Sequence, residues 1–263
     1  MVGFLFWYDR GMSWATTRQI LFALGVLLVV GAVGAAFYFS FFFTPASCDD
    51  GVQNRSEEGI DCGGECPRLC SAPAVSTLWA RSVVVAPGVY HAVALVRNPD
   101  TRASGNVPYT VSLFDKDNIL VAVRDGELAL SPGETSVLFE ANVITGERIP
   151  TRTFVDIGQG AFIREERSTP PVKILSFSSD NEAGRLTAVI ENQTLFAIQE
   201  TTVSALLFNE SDILTDASQT VVENLGGKER REIVFTWQKP FLIPPTRIDI
   251  IPYVSDDRAL WGF

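Results

Sequence analysis

The run from Ile20 to Phe43, ILFALGVLLVVGAVGAAFYFSFFF, carries no charged residue. As a helix it is roughly 36 Å long, enough to cross a hydrocarbon core about 30 Å thick. Peptide groups find no water there, so a single segment satisfies them only as a helix. The run therefore predicts two compartments, with residues 1–19 on one side and 44–263 on the other. Arg10 and Arg18 precede it, opposed only by Asp9. The first charges after it are Asp49 and Asp50, and the first basic residue is Arg55. Positive residues stay inside, so the N-terminus is expected in the cytoplasm and the remainder outside. A cleaved signal peptide is the first rival. Its apolar region is about 7–15 residues and ends on small residues, whereas this run ends in FYFSFFF. A lipoprotein signal ending at Cys48 is the second. Pro45-Ala46-Ser47 lacks the usual aliphatic residue, and lipidation would strand an odd cysteine.

The flanks and spacing of the span add detail. Phe4, Phe6, Trp7, Tyr8 and Trp14 favour the headgroup region, so residues 1–19 read as a short interfacial lead-in. Gly31 with Ala35 and Ala32 with Ala36 are small-xxx-small pairs that permit close helix pairing. The chain has a net charge of −10. Nucleic acid requires a basic face, so the charge argues against that class and against docking onto anionic headgroups, and reads best as solubility.

All four cysteines fall between Cys48 and Cys70, on the side where disulfides persist. The stretch CDDGVQNRSEEGIDCGGECPRLC is almost devoid of apolar residues and cannot build a core. It needs crosslinks or a metal to hold a shape. Two disulfides are expected among Cys48, Cys62, Cys66 and Cys70, in any of three pairings. Zinc is the rival, but structural zinc sites use two short C-x-x-C-type knuckles and Cys48 is isolated. Asp49, Asp50, Asn54, Glu57, Glu58 and Asp61 crowd around Gly51, a composition that suits calcium. A solvated acidic turn is the alternative. The order Cys48, Asp50, Gly51, Asn54, Glu57, Gly59, Asp61, Cys62, Gly63, Gly64, Cys66, Cys70 resembles a short Cys-rich motif of surface and secreted proteins. That resemblance implies an extracellular spacer or adhesion-type module and covers about 23 residues.

After Pro73 the texture becomes that of short β-branched and aromatic runs punctuated by turns. Strands are expected at Leu78–Val85, Tyr90–Arg97, Tyr109–Phe114, Ile119–Val123, Thr135–Ala141 and Thr153–Ile157. Part of the text recurs. ALVRN at 94–98 matches AVIEN at 188–192, and LFDKDNIL at 113–120 matches LFNESDIL at 207–214. Asn98 to Asn192 and Phe114 to Phe208 are steps of 94, Leu130 to Leu225 is 95 and Phe139 to Phe235 is 96. A shared register with small drifts predicts two copies of one unit. Each would be an antiparallel sandwich of immunoglobulin type with roughly seven strands. VSLFD at 111–115, LLFN at 206–209 and the turn Leu130-Ser131-Pro132-Gly133-Glu134 resemble FxLYD-type and late-embryogenesis-abundant-like β-sandwich domains. Val111 replaces the motif's phenylalanine, and the second turn departs as Leu225-Gly226-Gly227-Lys228-Glu229. The resemblance implies a fold rather than a reaction.

Catalysis has little to draw on. His91 is the single histidine, and the thiols are expected to be bridged, so Ser-His-Asp and Cys-His arrangements lack parts. Asp256-Asp257 and Glu165-Glu166 read as solvated turns. Trp79, Trp237 and Trp261 are candidates for a binding face, with packing the commoner role for Trp237. Asn54, Asn192 and Asn209 begin N-x-[ST] sequons.

The sequence thus predicts an all-β protein: two tandem immunoglobulin-like antiparallel β-sandwiches behind one transmembrane helix. The expected divisions are a cytoplasmic segment at 1–19, the span at 20–43, a Cys-rich stalk at 44–73 and a first sandwich at 74–163. A proline-stiffened linker at 164–171, a second sandwich at 172–255 able to fold alone, and a tail at 256–263 follow. The expected role is a non-enzymatic, membrane-anchored extracytoplasmic protein for binding, adhesion or envelope assembly. Its partners would be lipid through residues 20–43 and a protein or glycan, not nucleic acid. The alternatives are a non-catalytic subunit of a secretion or pilus-type assembly, and an envelope polysaccharide-processing enzyme.

Overall fold

The computed structural model describes residues 14–41, 47–54, 56–165, 171–241 and 244–254. The aromatic lead-in before Trp14, most of the expected linker, Asp256, Asp257 and Trp261 lie outside them. Helix α1 spans Trp14–Phe41. Residues Trp14–Ser40 are long and apolar enough to cross a membrane, with mean hydropathy 2.7. Every described side chain of this helix is exposed. From Ile20 onward the helix is apolar all round and offers no water-facing side, a property shared by membrane anchors and signal sequences. At its N-terminal end the Arg18 guanidinium lies 4.2 Å over the Trp14 ring.

The rest is β. The strands are β1 Ser76–Ala86, β2 Val89–Arg97, β3 Ala103–Phe114, β4 Leu120–Leu130, β5 Thr135–Ile144, β6 Arg152–Ile157 and β7 Ala161–Arg164. They continue as β8 Val172–Asp180, β9 Arg185–Asn192, β10 Ile198–Phe208, β11 Leu214–Leu225, β12 Arg230–Thr236 and β13 Arg247–Val254. The expected strands are present, mostly longer than their apolar runs. β7 had no signal of its own, being four residues beyond a Gly158-Gln159-Gly160 break. The pairings are antiparallel and make four sheets. Sheet β1-β2-β5 faces sheet β4-β3-β6, with β7 extending the β6 side of β3. Sheet β8-β9-β12 faces β11-β10-β13. The strand order is therefore the same in both sandwiches, six strands against six with β7 added to the first.

Two cores are the expected ones. Ala92, Ala94 and Val96 of β2 meet Val107, Val111 and Leu113 of β3 and Phe162 of β7. Leu186, Ala188 and Ile190 of β9 meet Val203, Ala205 and Leu207 of β10 and Phe235 of β12. A third core lies between the sandwiches. Val83 and Val93 of the first pack with Leu206, Phe208, Leu214 and Ala217 of the second, with Trp79, Leu95, Val137, Phe139 and Ile251 around them. The Trp79 ring meets Phe208 edge-on at 6.0 Å. The sheets thus stack in four layers, and β2 and β10 are buried on both faces.

Both sandwiches use one device to close their ends. The Asn98 and Asn192 side chains are fully buried. Asn98 Nδ2 donates to the carbonyls of Ala103 and Ser131, and its Oδ1 accepts from the Asp100 N–H. Asn192 Nδ2 lies against the carbonyls of Phe196, Leu225 and Gly226, and its Oδ1 accepts from the Thr194 N–H. Each amide ties the end of one sheet to the start and finish of two strands in the other. At the opposite ends Asp115 Oδ1 accepts from Asp117 and Ile119, and Asn209 Oδ1 from Ser211 and Ile213. These are the residues that recur in the sequence, and they recur because they satisfy buried or turning backbone.

Candidate functional site

The Cys-rich segment holds the predicted ligand residues. Its disulfides are Cys48–Cys66 and Cys62–Cys70, an interlaced pair. Gly63 and Gly64 have φ of +74° and +58°, and a Cβ on Gly64 would fall 1.8 Å from the Ser56 carbonyl oxygen. The loop therefore turns where only glycine fits. The closures remove chain entropy worth about 3 and 2.5 kcal/mol for loops of these lengths.

Within this frame the acidic residues meet backbone. The Asp61 carboxylate accepts from the N–H groups of Asp50 and Gly51 at 2.9 Å each. Asp50 accepts from the Val52 N–H at 2.9 Å and from Asn54 Nδ2 at 2.8 Å. The Val52 N–H, with the Asn54 amide behind it, holds the Asp50 carboxyl below its usual range. Glu57 Oε2 accepts from the Asn54 N–H at 3.0 Å, and Oε1 sits 3.3 Å from Cys66 Sγ. That sulfur is bonded to Cys48, so Cys48, Glu57 and Cys66 offer one carboxylate and no thiolate despite their proximity. Asp49 is exposed. Asp50, Asn54, Glu57 and Asp61 are thus brought together. Asn54 Oδ1 is buried with no hydrogen-bond partner among the described residues.

The segment is docked as well as crosslinked. Arg68 bridges to Ile163, the Leu69 N–H donates to the Phe162 carbonyl at 2.9 Å, and the Arg164 N–H donates to the Pro67 carbonyl at 2.6 Å. Arg164 also donates a guanidinium hydrogen to the Gly64 carbonyl at 2.7 Å. Leu69 packs on the first core. Residues 67–69 thus cover the open edge of β7, which would otherwise invite pairing with another chain.

The other predicted residues scatter. His91 accepts the Asn142 N–H at 3.2 Å through Nδ1 and lies 4.9 Å from the Phe139 ring. Burial pushes its pKa down. Trp79 belongs to the third core, and Trp237 packs against the second. The sequon at Asn192 is closed, since its amide is buried and hydrogen-bonded. One feature had no sequence signal. His91, Asp216, Trp237 and Lys239 line a cleft between the sandwiches at the end away from Asn98 and Asn192. Burial pushes the Asp216 carboxyl up. These residues come from three distant stretches, so only the packing of the two sandwiches assembles them.

No known protein family and no curated protein matches the chain. Among solved structures, red sea bream transglutaminase is 11% identical with a TM-score of 0.23, covering 67% of this chain and 29% of that one. CBD12 from CALX1.2 is 11% identical with a TM-score of 0.21, covering 64% of this chain and 76% of that one. The chain thus spans less than a third of the transglutaminase. Likenesses this distant carry no argument about activity.

Proposed function

We propose that the chain is a single-pass, membrane-anchored protein whose residues 44–263 lie outside the cytoplasm and present two copies of one β-sandwich unit to a protein or glycan partner. One observation carries the reading: an apolar helix exposed along its described length is followed, a few residues later, by a segment crosslinked by two disulfides. The first needs lipid and the second an oxidising compartment. Arg18 before the span and Asp49 and Asp50 after it support the orientation. The far end supports partner binding. There Val84, exposed, lines the cleft with Trp237 and Asp216, and Ile119, Ile144, Ile149 and Ile213 are exposed at strand ends and turns of the same end. Exposed apolar rims of this kind mark interaction surfaces. We read the role as binding rather than catalysis, a reading supported by the bridged cysteines and by the contact of His91 with the Asn142 N–H.

Calcium belongs to the same proposal through Asn54 Oδ1, the orphaned oxygen beside Asp50 and Glu57. A cation there would compete with the backbone N–H groups already on Asp50 and Asp61, so affinity no better than the ~10⁻⁴–10⁻³ M of extracellular modules is expected. The Gly31 and Ala35 spacing on α1 permits close helix pairing, as the assembly-subunit alternative requires. Replacing α1 by an unrelated anchor abolishes function in that case and is tolerated by a surface binder.

The test is protease added to intact cells or protoplasts. Residues 44–263 are expected to be cut while 1–19 stay protected, with the cysteines oxidised. Recovery of the sandwiches in the cytoplasm with reduced thiols would overturn the reading.

A further inference from the structure

Residues 193–197 join β9 to β10 at the end that holds Asn98 and Asn192. Leu195 is 77% exposed and Phe196 59%. Their loop is held firmly. Asn192 Nδ2 donates to the Phe196 carbonyl at 2.8 Å, and the Lys228 N–H donates to the Thr194 carbonyl at 3.0 Å. Gly227 approaches so closely that a Cβ there would lie 2.2 Å from the Leu195 carbonyl oxygen. The apolar pair is thus displayed by a fixed backbone. The corresponding loop of the first sandwich, Pro99–Arg102, is Pro-Asp-Thr-Arg and displays no large apolar side chain.

The same end carries the tether. Pro67–Leu69 pair with Phe162–Arg164, and Cys66 is bonded to Cys48. Ile163 and Glu165 share a cavity wall with Val254, and Val254 shares another with Gln193. The Leu195 loop and the Cys-rich segment therefore face one way. Between the last residue of α1, Phe41, and Ser47 the chain spans at most about 21 Å fully extended. Val52 and Ile60 of the Cys-rich segment are also exposed. The charges around the loop are mixed. Arg230 pairs with Glu191 at 2.8 Å and Arg231 with Glu229 at 2.7 Å, while Lys228 turns onto the Gln193 carbonyl.

We propose that Leu195 and Phe196 rest in the interfacial layer of the bilayer that holds α1, so the second sandwich leans on the membrane beside its own anchor. Large apolar side chains on a fixed loop bury area in that layer, and interfacial binding scales with the apolar area buried. The balanced local charge and the overall charge of −10 select a zwitterionic surface over an anionic one. The inference rests on α1 being a membrane anchor.

The test uses the full chain in phosphatidylcholine nanodiscs, one chain per disc, with a spin label on Leu195→Cys, Thr101→Cys or Ile213→Cys. Co-elution with the disc reads the anchor itself. The label at 195 is expected to show a several-fold higher ratio of oxygen to nickel-chelate accessibility than those at 101 and 213. Phe196→Asp in the 195-labelled chain is expected to abolish that difference. Both substitutions are on exposed side chains, so the fold is preserved and is checked by the unfolding midpoint. Co-elution with a water-like label at 195 overturns the contact while leaving the anchor standing. Shielding at 195 that needs two chains per disc overturns it in favour of a dimer.

Discussion

The two sandwiches share a strand order and their end-closing amides, yet differ at an edge, at a turn and at a loop. In the first, the β6 side of β3 is broken at Gly158–Gly160, and the Cys-rich segment covers the β7 edge. In the second, β13 runs unbroken along β10 from Arg247 to Val254. Asp115 of the first holds Arg148 at 2.6 Å, where the second has the neutral Asn209. The near-end loop is polar in the first and apolar in the second. What is kept satisfies buried backbone, and what varies faces outward.

The largest test of that comparison is at the buried amides. Asn192→Ala leaves the Phe196, Leu225 and Gly226 carbonyls to be satisfied some other way, and Asn98→Ala leaves those of Ala103 and Ser131. Unsatisfied buried groups cost about 1–3 kcal/mol each and relax in part. Losses of roughly 3–5 kcal/mol for Asn192 and 2–4 kcal/mol for Asn98 are expected from denaturant midpoints. Near-zero loss at either site would break the equivalence.

A smaller effect sharpens it. Asp115→Asn gives the first sandwich the turn residue of the second. The turn is expected to persist, because Asn209 makes the same two bonds to N–H groups. What disappears is the Arg148 pair and its pH dependence. The Ile119 N–H first, and Arg148 with it, hold the Asp115 carboxyl below its ordinary range. Its contribution is therefore present above the unfolded carboxyl pKa near 3.9 and is lost as pH falls through the lower folded value. An acid titration of stability is expected to flatten in the variant. An unchanged acid limb would mean the aspartate acts as a neutral turn former only.

Much of the fold was legible because its signals are local. The apolar run of α1, the turn residues and the recurring ALVRN and LFDKDNIL text each act within a few residues. The partners of Asn98 were not legible, since Ser131 lies 33 residues away. Nor was the cysteine pairing, which interlaces. The third core did leave a trace. HAVALV at 91–96 and VSALLF at 203–208 do not alternate as half-exposed strands do. Such runs belong to strands buried on both faces. Val93 and Leu95, with Leu206 and Phe208, face the other sandwich, while their neighbours fill their own. The cleft at Asp216 and Trp237 follows from that docking and was invisible without it. In the Cys-rich segment the acidic residues suggested a cation, but composition could not show that backbone N–H groups reach Asp50 and Asp61 first.

The third core makes two sandwiches one body. The direct measurement is equilibrium unfolding of residues 47–254 beside residues 172–254 alone. The long chain is expected to unfold in one transition. The short one keeps its own core and is expected to unfold cooperatively, but at distinctly lower denaturant, because Leu206, Phe208, Leu214 and Ala217 lose their cover. Phe208→Ala in the long chain is expected to lower its stability by roughly 3–5 kcal/mol. Two separate transitions in the long chain, one coinciding with that of the fragment, would contradict the account.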